Sequence, residues 1–363
     1  MLINRIIIFV LYFLLISQGV LVQIVKADKN QEFNTLQADL GQYIKPYQGK
    51  VTLRYQNLVT NEGYSLNSNT EVPAASTIKL PLALYVMKLA DEGKIDLNET
   101  LTYQSRHYYG GSGVIQNDKV GSVYTIDELV EKALIYSDNI AFIMLKERVG
   151  PNQFISFLKS LGAEYAYPGG RNTTSADDLT LYTGELYRYA NQSANGKNLV
   201  QYLEHTVYNT TIPQGIKDVP VAHKVGMIPM NLIYNDAAIV FADEPYTLAI
   251  TTRGIAYEKS QEVIAEIASI TNNHHQLIAK ERSEKLAITT GAKIDSIPMS
   301  IEKGSFYYDY LERKQFVNLS NPFNDNGYFG SFSPYQQLVA IQIETKILRT
   351  PFATDNFTIN WKR

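Results

Sequence analysis

Two groups of β-like runs stand at opposite ends of this chain, and the sequence between them is almost wholly helix-forming. Val51–Leu58 and Tyr64–Leu66 are strand-like, with Asn61-Glu62-Gly63 supplying a turn between them. Val219–Gly226, Ala237–Phe241 and Tyr246–Thr252 make the second group. Between the groups, helices are predicted from Ser76 to Glu92, from the capping box Thr125-Ile126-Asp127-Glu128 to about Leu134, and over Ile140–Val149, Pro151–Leu161 and Ser175–Ala190. Two more are predicted outside them: residues 28–45, where Phe33, Leu36, Leu40 and Ile44 recur at helical spacing, and Lys259–Ile270. A chain so arranged buries its strands by joining its ends. The expected fold class is α/β in the broad sense (α+β): one antiparallel sheet formed from both chain ends, flanked by helices, with a helical subdomain and a cleft between the two.

The 363 residues suffice for one large domain with a small appendix. Residues 1–27 read as an export address. Arg5 precedes the unbroken apolar run Ile6–Ile16, and Val25-Lys26-Ala27 fits a cleavage site before Asp28. The same stretch is just long enough to span a bilayer, so it is either a cleaved signal peptide or an N-terminal membrane anchor. Either way residues 28–279, the expected main domain, are secreted or extracytoplasmic. From residue 280 to 363 the pattern changes to short β-like runs such as Phe306–Tyr310 and Leu338–Ile343, set between turn residues, which predicts a β-rich C-terminal extension. A net charge of −3, without a basic stripe, gives no reason to expect a nucleic-acid partner. The absence of cysteine excludes a disulfide framework and thiol catalysis. None of the five histidines has a zinc-ligand spacing, so no metal and no cofactor is expected, and the adjacent His274 and His275 read as solvated. A monomer is expected.

Ser76-Thr77-Ile78-Lys79 places a hydroxyl and an amine three residues apart at a predicted helix start, on one face. A desolvated lysine with a lowered pKa can take the serine proton and make a weak nucleophile useful. The spacing alone is common. Ser156-Phe157-Leu158-Lys159 and Ser300-Ile301-Glu302-Lys303 repeat it, one inside a predicted helix and one in the β-rich tail, and both read as accidental. Order and context single out Ser76, because Ser137-Asp138-Asn139 and then Lys224-Val225-Gly226 follow it. Read singly, Ser137-Asp138-Asn139 is only a polar turn with a helix cap, and Lys224 an edge-strand lysine.

Taken together, S-x-x-K, S-D-N and K-x-G in this order resemble the active-site-serine family of class A β-lactamases and penicillin-binding proteins. The segments around them are similar as well: Ala74-Ala75-Ser76-Thr77-Ile78-Lys79-Leu80-Pro81, Tyr136-Ser137-Asp138-Asn139-Ile140-Ala141 and Val221-Ala222-His223-Lys224. The resemblance implies that Ser76 attacks a carbonyl carbon, with Lys79 as its base partner. It implies that Ser137 relays a proton to the leaving nitrogen and that Lys224 supplies positive charge to Ser137 and to a substrate carboxylate. Asn139 would hold the substrate amide or Lys79. The backbone N–H groups of Ser76 and Met227, the latter next to Gly226, would form the oxyanion hole.

Two departures from the family pattern stand out. Val225 replaces the hydroxyl residue of K-T-G and has no donor for a carboxylate. The loop that carries the deacylating glutamate in class A enzymes is missing: no E-x-x-L-N pattern occurs, and Glu164 is the only acid between Leu161 and Ser175. Without a base for water, an acyl-enzyme should form and turn over slowly. Tyr108 and Tyr109 precede Gly110-Gly111-Ser112-Gly113, and Tyr108 is a candidate for the cleft mouth beside a mobile glycine loop. The expected partner is a β-lactam or a peptidoglycan stem peptide ending in D-alanine. Three readings follow: a penicillin-binding, D,D-peptidase-like enzyme; a genuine class A β-lactamase; and a non-enzymatic cell-wall protein on the same scaffold.

Overall fold

The computed structural model describes residues 34–290. The expectations for residues 1–27, for Ser300 and for the β-rich runs beyond Thr290 lie outside the described residues. The described residues divide into two compact units that meet at Pro46–Tyr47 in the chain. In the first, residues 34–44 form helix α1, with Leu36, Leu40 and Ile44 buried.

The second unit is built on a five-stranded antiparallel sheet. Its strands are β1 (Val51–Asn57), β2 (Gly63–Leu66), β7 (Val221–Ile228), β8 (Ile233–Val240) and β9 (Tyr246–Arg253), in the order β2-β1-β9-β8-β7. The N-terminal hairpin thus joins the C-terminal strands through the β1–β9 pairing, Val51 opposite Thr252 through Asn57 opposite Tyr246. Two short pairs complete the strands: β3 (Val72–Pro73) with β6 (Thr173–Thr174), and β4 (Thr100–Thr102) with β5 (Val123–Thr125).

Between the strand groups run α2 (Lys79–Asp91), α3 (Ile126–Ile135), α4 (Asn139–Val149), α5 (Pro151–Ser160), α6 (Ala176–Ala190), α7 (Ala194–Glu204) and the single turn α8 (Ile212–Gly215). The capping box forms, with Glu128 N–H on Thr125 Oγ1 at 3.1 Å and Thr125 N–H on Glu128 Oε2 at 2.8 Å. Strand alternation splits the sheet into two faces. One face, with Ala222, Ala237, Ile239 and Ala249, belongs to the same core as Leu82, Leu129, Met144, Leu179 and Leu203 of the helices. Small residues here let the helical layer approach the sheet closely. The other face, with Tyr55, Asp236 and Tyr246, is covered by α8 and by α9 (Tyr257–Thr290), which carries His275 and Asn272 against those tyrosines.

Several elements differ from expectation. Helix α9 runs to Thr290, twenty residues past the expected Ile270, so residues 280–290 are helical rather than part of a β-rich extension. Its continuation is held by Arg282, which donates to Glu244 at 2.6 Å and to Glu62 at 2.8 Å. His275 is not solvated: it is 2% exposed, with Nδ1 2.7 Å from Tyr55 Oη, and burial pushes its pKa down to about 4. Strand β8 begins at Ile233, four residues earlier than expected, because the turn-like pair Asn235-Asp236 is buried with partners of its own.

Candidate active site

The Ser76 turn is set between β3 and α2. Ala74 N–H donates to Asn172 O at 3.0 Å, and Thr77 Oγ1 donates to Ala74 O at 2.7 Å. Ala75 takes φ +50°, a left-handed conformation costly for a residue with a Cβ. A 3₁₀ turn over Ala75–Ile78 then leads into α2. With three residues per turn, positions i and i+3 eclipse. Lys79 therefore stands over Ser76, and its Nζ lies 3.0 Å from Ser76 Oγ.

The α3–α4 turn supplies the second wall. Ser137 also has a positive φ of +53°, which aims its carbonyl and hydroxyl at the lysine. Lys79 Nζ donates to Ser137 O at 2.5 Å and to Asn139 Oδ1 at 2.7 Å, and lies 3.3 Å from Ser137 Oγ. Asp138 turns the other way. One of its oxygens caps α4, accepting from Ile140 and Ala141 N–H at 2.8 and 2.9 Å. The other accepts from Val114 and Ile115 N–H at 2.6 and 2.8 Å. This carboxylate staples the 110–115 loop to the turn. Gly113, at φ +111°, lies where any Cβ would collide with Asp138. Ser112 Oγ donates to Ser137 O at 2.6 Å, and Asn139 Nδ2 donates to Gly110 O at 3.0 Å. The glycines thus serve close approach, and the loop expected to be mobile is tied down by these bonds.

Strand β7 is the sheet edge and forms the third wall. Lys224 Nζ donates to Ser137 Oγ at 3.0 Å and to Val225 O at 3.2 Å. Ser137 Oγ therefore sits between two lysine nitrogens. Both lysines are buried, Lys79 to 2% and Lys224 to 0% exposure. Burial, reinforced by the positive charge of Lys224 and opposed by Asp138, brings Lys79 down to about 6. Burial brings Lys224 down to about 7, against the pull of Asp236. Asp236 is itself held below the usual carboxylate range, since His223, Thr211 Oγ1 and Ile212 N–H together outweigh its burial.

The remaining sequence candidates fall as follows. Gly226 packs so closely on the Ser76 turn that a Cβ would come 2.5 Å from Ala74 O. Met227 follows it on β7, half-buried. Tyr108 is 61% exposed, and its hydroxyl lies 3.6 Å from where a Cβ of Gly110 would stand, beside the carbonyl that Asn139 holds. Val225 is buried, on the strand face that carries His223. Glu164 is exposed, and its backbone N–H is the part engaged, donating to Asp178 Oδ1 at 2.8 Å. The segment places an amide, not a carboxylate, against the Ser76 turn: Asn172 Nδ2 donates to Ala75 O at 3.0 Å. Ser156 and Lys159 lie exposed on α5, away from any such wall. Ser112 and Tyr208, whose ring centre is 5.8 Å from Lys224 Nζ, belong to the site and carried no sequence signal beyond their residue type.

A profile described as the beta-lactamase enzyme family matches residues 35–275. The extended-spectrum beta-lactamase PER-1 of Pseudomonas aeruginosa is 26% identical over 244 residues, covering 60% of this chain and 79% of that protein. Beta-lactamase SME-1 of Serratia marcescens is 27% identical over 230 residues, covering 57% and 78%. Among solved structures, PBP-A superposes with a TM-score of 0.60 at 26% identity, over 67% of this chain and 96% of PBP-A. A point mutant of PBP-A, captured as an acyl-enzyme complex with penicillin G, superposes at 0.61 with the same identity, over 67% and 97%.

Proposed function

Because this chain belongs to the β-lactamase enzyme family, and is a serine hydrolase of that type, we propose that Ser76 is its nucleophile and that it forms an acyl-enzyme with β-lactams or with peptidoglycan stem peptides ending in D-alanine. The observation that carries this reading is the environment of Lys79 Nζ. A neutral amine has two N–H groups and one lone pair. Ser137 O and Asn139 Oδ1, at 2.5 and 2.7 Å, take the two N–H groups. The lone pair is left for Ser76 O–H, 3.0 Å away. A pKa of about 6 makes that neutral form the main one at pH 7.

The step balances over these groups. Ser76 Oγ attacks the carbonyl carbon as its proton passes to Lys79 Nζ. The oxyanion is received by the N–H groups of Ser76 and Met227, whose strand lies against the Ser76 turn through Gly226. Ser137 gives its proton to the leaving nitrogen and takes the one held by Lys79, 3.3 Å from its Oγ. The C–N bond breaks and the acyl ester on Ser76 remains. Lys224, donating to Ser137 Oγ at 3.0 Å, stabilises negative charge on that oxygen in transit.

Deacylation is slow in this reading. Glu164 is exposed, and Asn172 lies against the turn instead of a carboxylate. An amide cannot take a proton from water. The D,D-peptidase-like reading therefore stands ahead of a fast β-lactamase. Residues 1–27 export the enzyme to the cell-wall side, cleaved or anchored. The test is covalent labelling by a fluorescent penicillin. Wild-type protein should label; Ser76→Ala should not, while Ser156→Ala and Ser300→Ala should. Labelling that survives Ser76→Ala would overturn the assignment.

A further inference from the structure

The nucleophile turn is strained and needs a clamp. Ala75 holds φ +50° with a Cβ in place, a conformation that relaxes unless its neighbours over-determine it. Asn235, on β8, is buried to 1% exposure and is the cross-strand partner of Gly226. Gly226 has no side chain, and any Cβ there would meet Ala74 O at 2.5 Å. Asn235 reaches over this bare position, and its Nδ2 donates to Pro73 O at 2.8 Å, with Ala74 O at 3.5 Å. Both contacts are carbonyl oxygens, so only the amide nitrogen can face them and the orientation of the amide is forced. The price is an orphan: Asn235 Oδ1 is buried with no hydrogen-bond partner among the described residues. Burying an amide with one end unpaired is unfavourable, so a residue chosen only for packing would not carry it. From the opposite side Asn172 Nδ2 donates to Ala75 O at 3.0 Å.

We propose that Asn235 is a positioning residue for the nucleophile: it locks the Pro73–Ala74 peptides so that Ala75 stays left-handed and Ser76 Oγ stays in line with Lys79. It touches no substrate and acts through the backbone of the turn. The proposal rests on Ser76 as the nucleophile. A wild-type protein that forms no penicillin adduct would fail that reading before any Asn235 variant is made.

The test is a double-mutant cycle on the rate constant of penicillin acylation, measured by rapid mixing at saturating drug. Asn235→Leu removes the donor while keeping the branched shape, and Asn235→Ala removes it with a small cavity. Either variant, folded by circular dichroism, should acylate roughly 10- to 100-fold more slowly, with the drug concentration for half-maximal rate little changed, because a sub-ångström misplacement is felt in the chemical step. Glycine adopts positive φ freely, so in an Ala75→Gly background most of that loss should disappear. Equal losses in both backgrounds, an unchanged acylation rate, or failure of both variants to fold would each overturn the assignment, the last by making Asn235 a residue of the fold alone.

Discussion

The two segments that flank the Ser76 turn treat their polar atoms differently. On one side, the α3–α4 turn satisfies the side-chain polar atoms it buries. Asp138 accepts four backbone N–H groups, Ser112 and Lys79 share the Ser137 carbonyl, and Asn139 is bonded at both ends of its amide. On the other side, the segment from Leu161 to Ser175 leaves Asn172 Oδ1 buried without a partner among the described residues, and turns its one acid, Glu164, outward. The first side has the fixed donors and acceptors that forming an acyl-enzyme needs. The second has no proton acceptor in place for water. The contrast supports the proposed reading, in which the site performs the first half of a hydrolase cycle well and the second poorly.

The largest effect expected from breaking the first side is chemical. Lys79→Ala removes the proposed base and should slow acylation on the order of 10²–10⁴-fold, as read by rapid-mixing penicillin labelling, with the fold retained. A near-normal rate would move the base role to water or to Ser137. Next comes stability. Asp138→Ala leaves four N–H groups without their acceptor, two of them at a helix cap, and should cost about 2–4 kcal/mol in urea unfolding. On the second side, Asn172→Ala removes one hydrogen bond and one unpaired carbonyl together, and should change stability by under about 1 kcal/mol. Equal losses at the two positions would erase the contrast.

The pH dependence follows from the two lysines. Lys79, lowered to about 6, must be neutral to act, so acylation should fall about tenfold per unit as pH drops below that value. Lys224, lowered to about 7, must be charged to support Ser137, so the rate should fall again above that value. A flat profile from pH 5 to 9 would contradict both assignments. The smallest effect concerns Val225. Val225→Thr should favour acylation by carboxylate-bearing over carboxylate-free ligands by roughly three- to tenfold, one hydrogen bond's worth. No change would show that this strand edge does not receive a carboxylate.

Much of this arrangement can be read from the chain because its chemistry is local. Ser76 with Lys79, and Ser137 with Asn139, are pairs fixed by short spacing, and the strand groups at both ends foretell the mixed α/β sheet that joins them. What could not be read depends on tertiary partners. Asn235-Asp236 looks like a turn until the carbonyl of Pro73 and the hydroxyl of Thr211 are brought to it. Gly110–Gly113 looks mobile until Asp138 is placed against it. His275 looks solvated until α9 continues and lays it on Tyr55. In each case the deciding partner lies in a distant part of the chain, where local propensity has no reach.

In the proposed cycle this site acylates readily and deacylates slowly. Intact-protein mass measurement, from seconds to hours after mixing with a penicillin, reads both steps. A stoichiometric adduct of the drug's mass should persist while free drug remains, with steady-state hydrolysis far slower than adduct formation. Free protein mass regained within seconds, with the antibiotic cleared, would contradict that cycle. That result would assign water activation to Glu164 or Lys79 and make the protein a working β-lactamase.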